Sequence, residues 1–89
     1  MDRIKRKDHI VCAGFPKGLV IFDLDFRLPY ILNPSAAEVW LWLSRPRKIQ
    51  ELINLVLKKY AVSKPRARKD LFLLLGRLEE KGLVEYVKA

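Results

Sequence analysis

A change of period at Leu32-Asn33-Pro34-Ser35-Ala36 constrains the chain more than any other feature. Before this junction, short apolar runs rich in β-branched and aromatic residues alternate with turn formers, the pattern of strands. After it, apolar residues recur at three- and four-residue steps, the pattern of amphipathic helices. A chain of 89 residues has material for one core, so the order reads as a small sheet followed by helices, an α+β class in one domain over residues 1–89 with a basic arm at 1–8.

Three strands are expected. His9–Phe15 is the first, Pro16-Lys17-Gly18 reverses the chain, Leu19–Leu24 is the second, and Phe26–Leu32 follows a turn near Asp25. They form an antiparallel meander. In the third, Phe26, Leu28, Tyr30 and Leu32 share one face by the two-residue period, leaving Arg27, Pro29 and Ile31 on the other.

At the junction, Asn33 or Ser35 supplies a helix cap, Pro34 suits a first turn that needs no backbone donor, and Glu38 stands three after Ser35 as in a capping box. The first helix runs to about Leu43 and ends at Ser44-Arg45-Pro46. A second, about Lys48–Tyr60, carries Ile49, Leu52, Ile53, Val56 and Tyr60 on one stripe. Ser63 caps a third, Pro65 to about Lys81, which Gly82 terminates. Leu83–Val87 reads as a short extended tail. Projected at 100° per residue, the third helix puts Ala67, Leu71, Leu74 and Leu78 on its core stripe, with Leu75 at the edge. Arg68, Phe72 and Gly76 come next round the cylinder, with Glu79 one turn below, so the apolar surface is wider than one core face requires. Leu73 projects to the polar side near Lys69 and Glu80. The expected core is Trp40, Leu43, Leu52, Val56, Leu71, Leu74 and Leu78.

Composition narrows function. The net charge is +8, and between Val39 and Lys69 nine basic residues stand against Glu51 alone, so that stretch accounts for the whole excess. A field of this sign favours an acidic partner, phosphate or peptide. The longest apolar runs, Val39–Leu43 and Leu71–Leu75, fall far short of the roughly 20 residues that span a bilayer, and the single cysteine, Cys12, closes no intrachain disulfide. A cytoplasmic setting without membrane contact is the expectation.

Catalytic chemistry is sparsely provided for. His9 and Cys12, three apart on a strand, point to opposite faces and form neither a metal pair nor a nucleophile–base pair. Asp23 and Asp25 flank a turn and serve as turn formers. Gly14, Gly18, Gly76 and Gly82 are too scattered for a phosphate loop. The expectation is a binding protein, not an enzyme, with no metal and no cofactor.

From Gly18 to Tyr86 the sequence resembles the PqqD family, the peptide-binding modules known as RiPP recognition elements. The features that carry the resemblance are the extended segment ending in Leu32-Asn33-Pro34-Ser35-Ala36, Val39-Trp40 and Leu43, an Ile-x-x-Leu-Ile helix ending in Lys59-Tyr60, Asp70 through Leu78, and Gly82-Leu83-Val84. Their order and spacing together are specific. The resemblance implies a winged helix-turn-helix arrangement, a three-stranded antiparallel sheet packed on three helices. It also implies a function: binding the leader region of a ribosomally made precursor peptide and presenting its core to a modifying enzyme, either a radical enzyme or a leader peptidase and cyclase system. In such modules the leader adds to the third strand and lies in the cleft against the third helix. Transferred by position, the contacts are the backbone of Arg27, Leu28, Pro29, Tyr30, Ile31 and Leu32, with Arg68, Phe72, Leu75, Gly76 and Glu79 along the helix.

Pro29 departs from a plain receiving strand. It has no amide hydrogen, so one ladder bond is missing, either to the second strand or to the leader. Leu41 and Trp42 exceed what one helix face buries beside Trp40, and a partner enzyme or a second copy in a homodimer would cover them. The alternative reading is a nucleic-acid-binding winged helix, resting on Lys64-Pro65-Arg66-Ala67-Arg68-Lys69 at the start of the third helix. Against it, that helix soon becomes Leu71–Leu75 and offers no Asn or Gln for adenine.

Overall fold

Antiparallel pairing of short apolar runs builds the first layer. The computed structural model describes residues 2–25 and 27–88. A strand at Asp2–Arg6 (β1) precedes the meander of Ile10–Phe15 (β2), Gly18–Asp23 (β3) and Leu28–Leu32 (β4), whose spatial order is β2-β3-β4. The two-residue turn Pro16-Lys17 sets the first register, Ile10 opposite Asp23 through Phe15 opposite Gly18. The second runs from Leu19 opposite Leu32 to Asp23 opposite Leu28. Leu19, Ile21 and Leu32 turn into the core. The opposite face carries Val11, Ala13, Phe15, Val20, Phe22, Pro29 and Ile31, all apolar and all exposed or half-buried. Phe26, expected to open the third strand, lies outside the described residues. Arg27, also expected in that strand, sits instead in the turn before it at φ 56°, its N–H donating to the Asp23 carbonyl at 2.6 Å.

The helices begin where side chains replace missing carbonyl partners. Asn33 is extended, and its Oδ1 accepts from the Ala36 N–H (2.9 Å) and the Ser35 hydroxyl (3.1 Å), so Asn33 is the cap of α1, Pro34–Trp42. Asn33→Ala is expected to cost about 1 kcal/mol, seen as a lower urea midpoint at unchanged slope; an unmoved midpoint would assign the capping elsewhere. The Arg47 Nε closes the far end on the Trp42 carbonyl (2.5 Å). In α2, Ile49–Lys59, the Glu51 carboxylate accepts from the Lys48 N–H (3.2 Å). Ser63 caps α3, Lys64–Glu80, accepting from the Arg66 N–H (3.3 Å). Gly82, at φ 71°, lets the chain leave that helix in a left-handed turn with Leu83 N–H bonded back to Leu78.

The tail after Gly82 is a full strand, Val84–Lys88 (β5), paired antiparallel with β1 from Asp2 opposite Lys88 to Arg6 opposite Val84. The basic segment read as an arm is therefore mostly strand, with Met1 outside the described residues. Ile4 lies in the core at 1% exposure and exchanges both backbone bonds with Arg47, 2.7 and 3.0 Å. Lys5 and Lys7 flank Glu85 at 3.7 and 3.1 Å, and the hydrogen bond from Lys7 holds that carboxyl below its ordinary pKa. The class is α+β winged helix-turn-helix, with five strands among the described residues where three were expected.

Trp40, Leu43, Leu52, Leu71 and Leu78 are buried as expected, while Val56 and Leu74 are half-buried. The core stripe of α3 is Ala67, Leu71, Leu75 and Leu78. Leu75, read as an edge residue, is fully buried. The helix is thus rolled about its axis relative to the sequence projection, and this decides which of its residues face the cleft.

Candidate functional site

The backbone of β4 is one wall of the site. Leu24 N–H donates to the His9 carbonyl (3.0 Å), which fixes the alternation of bonds along the meander: even residues of β3 face β2, and odd residues face β4. Through the register, Leu28, Tyr30 and Leu32 spend their amide groups on β3, while Pro29 and Ile31 turn theirs to the free edge. The missing donor of Pro29 is therefore an edge group, the orientation in which proline is tolerated. The open edge offers the N–H and C=O of Ile31 and the C=O of Pro29. Ile31 is 73% exposed.

Between this edge and α3 lies a cleft of about 670 Å³. Tyr30, Ile31 and Leu32 line it from the strand, Leu73, Leu74 and Arg77 from α3, and Val56 and Tyr60 from the end of α2. Lys81 sits over the Tyr30 ring, 5.1 Å from its centroid, a cation–π contact that ties the strand to the end of the helix. The cleft is apolar along its floor and cationic at the Arg77–Lys81 end.

The helix residues expected to line the cleft are elsewhere. Arg68 and Phe72 lie on the opposite flank of α3, the guanidinium 5.5 Å from the ring centroid. Leu75 is sealed in the core, Gly76 is half-buried outside the cleft, and Glu79 is exposed outside it. Leu73, placed by projection on the polar side, faces the cleft with Asp70, Leu74 and Arg77. Leu71–Leu75 offers five consecutive apolar residues, and Ala67, Leu71 and Leu78 belong to the core stripe in either rotation, so periodicity does not fix the roll of the helix. Of the strand residues, Tyr30, Ile31 and Leu32 reach the cleft, and Leu28 and Pro29 prolong the edge beyond it.

The structure also gathers His9, Asp23 and Asp25, whose ligand atoms lie within 4.8 Å of one another. His9 is 3.5 Å from Asp23 and 3.8 Å from Asp25, and the Asp25 N–H donates to Asp23 Oδ1 at 2.9 Å. The two aspartates thus form a turn with a histidine beside it, a proximity that strand parity alone did not suggest. At the head of α3, Arg66 pairs with Asp70 at 3.6 Å and Arg68 covers Phe72, so two of the four basic side chains there are engaged within the helix.

The model of the family described as coenzyme PQQ synthesis protein D (PqqD) matches residues 18–84, most of the chain. The protein belongs to the PqqD family. The match opens at the first residue of β3 and closes at the first of β5, so the PqqD core comprises β3, β4 and the three helices that build the cleft. Among solved structures, this PqqD-family chain is similar to TbiB1 in complex with the TbiA(beta) leader peptide, at 25% identity and a TM-score of 0.84 over 91% of this chain and 94% of that one. It is also similar in fold to a lasso peptide synthetase B1 complexed with the leader peptide, at 22% identity and a TM-score of 0.81 over 92% and 96%. No curated protein matches the chain. No helix among the described residues is long and apolar enough to cross a membrane.

Proposed function

We propose that this PqqD-family protein is a non-catalytic recognition module that binds the leader region of a ribosomally made precursor peptide and delivers it to a modifying enzyme. The observation that carries the reading is the union of an open strand edge with an apolar cleft directly beside it. Strand addition supplies affinity through main-chain bonds, and pockets for alternate side chains supply selectivity. At Ile31 an incoming strand makes a bonded pair; at Pro29 it can only donate. Every second side chain of that strand would fall toward Leu73 and Leu74, and an acidic residue at the Arg77–Lys81 end would meet two cations. TbiB1, similar over nearly its whole length, is described with a leader peptide, which supports the same class of ligand here.

The test is calorimetric titration with the leader of the cognate precursor, joined to amide hydrogen exchange. Leu73→Asp is expected to weaken binding about tenfold, or 1.4 kcal/mol, because it places a charge on the apolar floor while altering an exposed helix position. Phe72→Ala, on the far flank, is expected to leave affinity unchanged. Exchange at Ile31 should slow on binding. Full affinity in Leu73→Asp, with loss in Phe72→Ala, would move the site to the other side of α3.

A further inference from the structure

The meander has a second edge, and it is built unlike the first. By the alternation that exposes Ile31 on β4, the amide groups of Ile10, Cys12 and Gly14 on β2 face away from β3, and among the described residues no strand lies beyond them in the sheet. β2 reads Ile-Val-Cys-Ala-Gly-Phe, without a charge or a proline, and every residue from Val11 to Phe15 is exposed. Proteins that leave an edge open interrupt it with charge, proline or a bulge, since an uninterrupted apolar edge templates pairing. β4 has Pro29 in its open edge; β2 has nothing of the kind.

Alongside this edge runs a cleft of about 640 Å³, bounded by the β1–β2 turn and the α1–α2 loop. Among the described residues four cations line it, Lys5, Arg6, Lys7 and Arg45, against one acid, Asp8. Glu85 engages the two lysines. Arg6 lies over the Trp40 ring, 5.2 Å from its centroid, and Arg45 is exposed. Trp40 itself is 1% exposed, and its Nε1 has no acceptor among the described residues. Open backbone groups and excess positive charge therefore meet in one place.

We infer that the free edge of β2 receives an extended segment of a partner protein, with Asp or Glu at alternate positions and small apolar residues between them. The acids would lie on the cleft side toward Arg6 and Arg45, and the apolar residues would extend the outer sheet face of Val11, Val20 and Phe22. A second copy of this chain fits less well. Two β2 strands paired about a two-fold axis would bring both sets of cleft cations to the same side of one continuous sheet, where like charges repel. The site is on the opposite edge from the leader cleft and holds whichever peptide β4 takes.

The experiment is amide hydrogen exchange, resolved by residue, on the full chain titrated with an acetylated, amidated heptapeptide alternating Val and Glu. At saturation, exchange at Ile10, Cys12 and Gly14 is expected to slow about tenfold or more while Ile31 is unaffected. The same peptide with Lys in place of Glu should leave all four amides unchanged. The Arg6→Glu, Arg45→Glu variant should weaken the effect about tenfold. Because Arg6 also packs on Trp40, a second variant, Cys12→Pro, removes one outward amide where a proline nitrogen is tolerated and should abolish the peptide effect with the fold retained. No slowing at millimolar peptide, equal slowing by the Lys peptide, slowing at Ile31 alone, or slowing driven by protein concentration without peptide would each overturn the inference, the last in favour of a second copy.

Discussion

Replacing Leu75 by Ala is expected to lower the free energy of unfolding by about 2–5 kcal/mol, because the side chain is wholly enclosed and its removal leaves a cavity on the core stripe of α3. Leu74, one position earlier, is half-buried at the margin of the cleft between β4 and α3. Its replacement by Ala should cost about 1–2 kcal/mol, since part of its surface is already in contact with water. The two variants differ by one helical position and by nothing in composition, so the comparison reads the rotation of the helix directly. Urea denaturation of both, followed by circular dichroism, is sufficient. Equal losses, or a larger loss at Leu74, would mean that the sequence projection had the rotation right and that the cleft is lined by the Phe72 flank.

The second large effect is expected at Gly18. This residue opens β3 at φ 145°, a region closed to residues with a Cβ, and a Cβ built there would overlap the Leu32 carbonyl oxygen. The obstacle is backbone and cannot swing aside. Leu32 is also the last residue of β4, directly before the Asn33 cap, so any displacement is transmitted to the start of α1. Gly18→Ala is expected to cost at least about 3 kcal/mol, combining strain at a forbidden dihedral with loss of the pairing at Leu32. Gly14→Ala is the matched control. It lies in β2 with no positive φ, and nothing stands within 4 Å of the added methyl group. It should be neutral or slightly stabilising, since alanine restricts the unfolded chain more than glycine does. A thermal melt of the two proteins separates them, and similar midpoints would refute the steric reading of Gly18.

The parts of this fold that sequence made legible are those governed by local rules. Turn formers at Pro16-Lys17 and around Asp25 delimited the meander. Capping chemistry at Asn33 and Ser63 placed two helix starts within a residue or two, and Gly82 marked the exit of α3. Each of these is a bargain struck within a few residues of backbone. The roll of α3 is not local. With leucine or phenylalanine at every position from Leu71 to Leu75, the apolar pattern is compatible with several rotations, and the choice is made by what the sheet and α2 leave uncovered. For that reason the projection turns Phe72 toward the cleft, where the structure has Leu73. The β1–β5 ribbon escaped notice because Ile4 is the one apolar residue in Asp2–Arg6, and a strand whose partner is at the far end of the chain leaves no pattern in its own neighbourhood. The gathering of His9 beside Asp23 and Asp25 has the same origin, since it arises from strand register and not from spacing.

The ribbon of β1 and β5 also bears on the order of assembly. Joining residue 2 to residue 88 closes almost the entire chain into one loop, and the entropy lost on closure must be met before the first of its bonds is returned. The meander and the helices are made from neighbours and carry no such charge. The ribbon is therefore expected to zip up after the folding barrier has been crossed, with Ile4 and Val84 entering a core that has already condensed. Substitutions there would hasten unfolding and leave the rate of folding almost untouched.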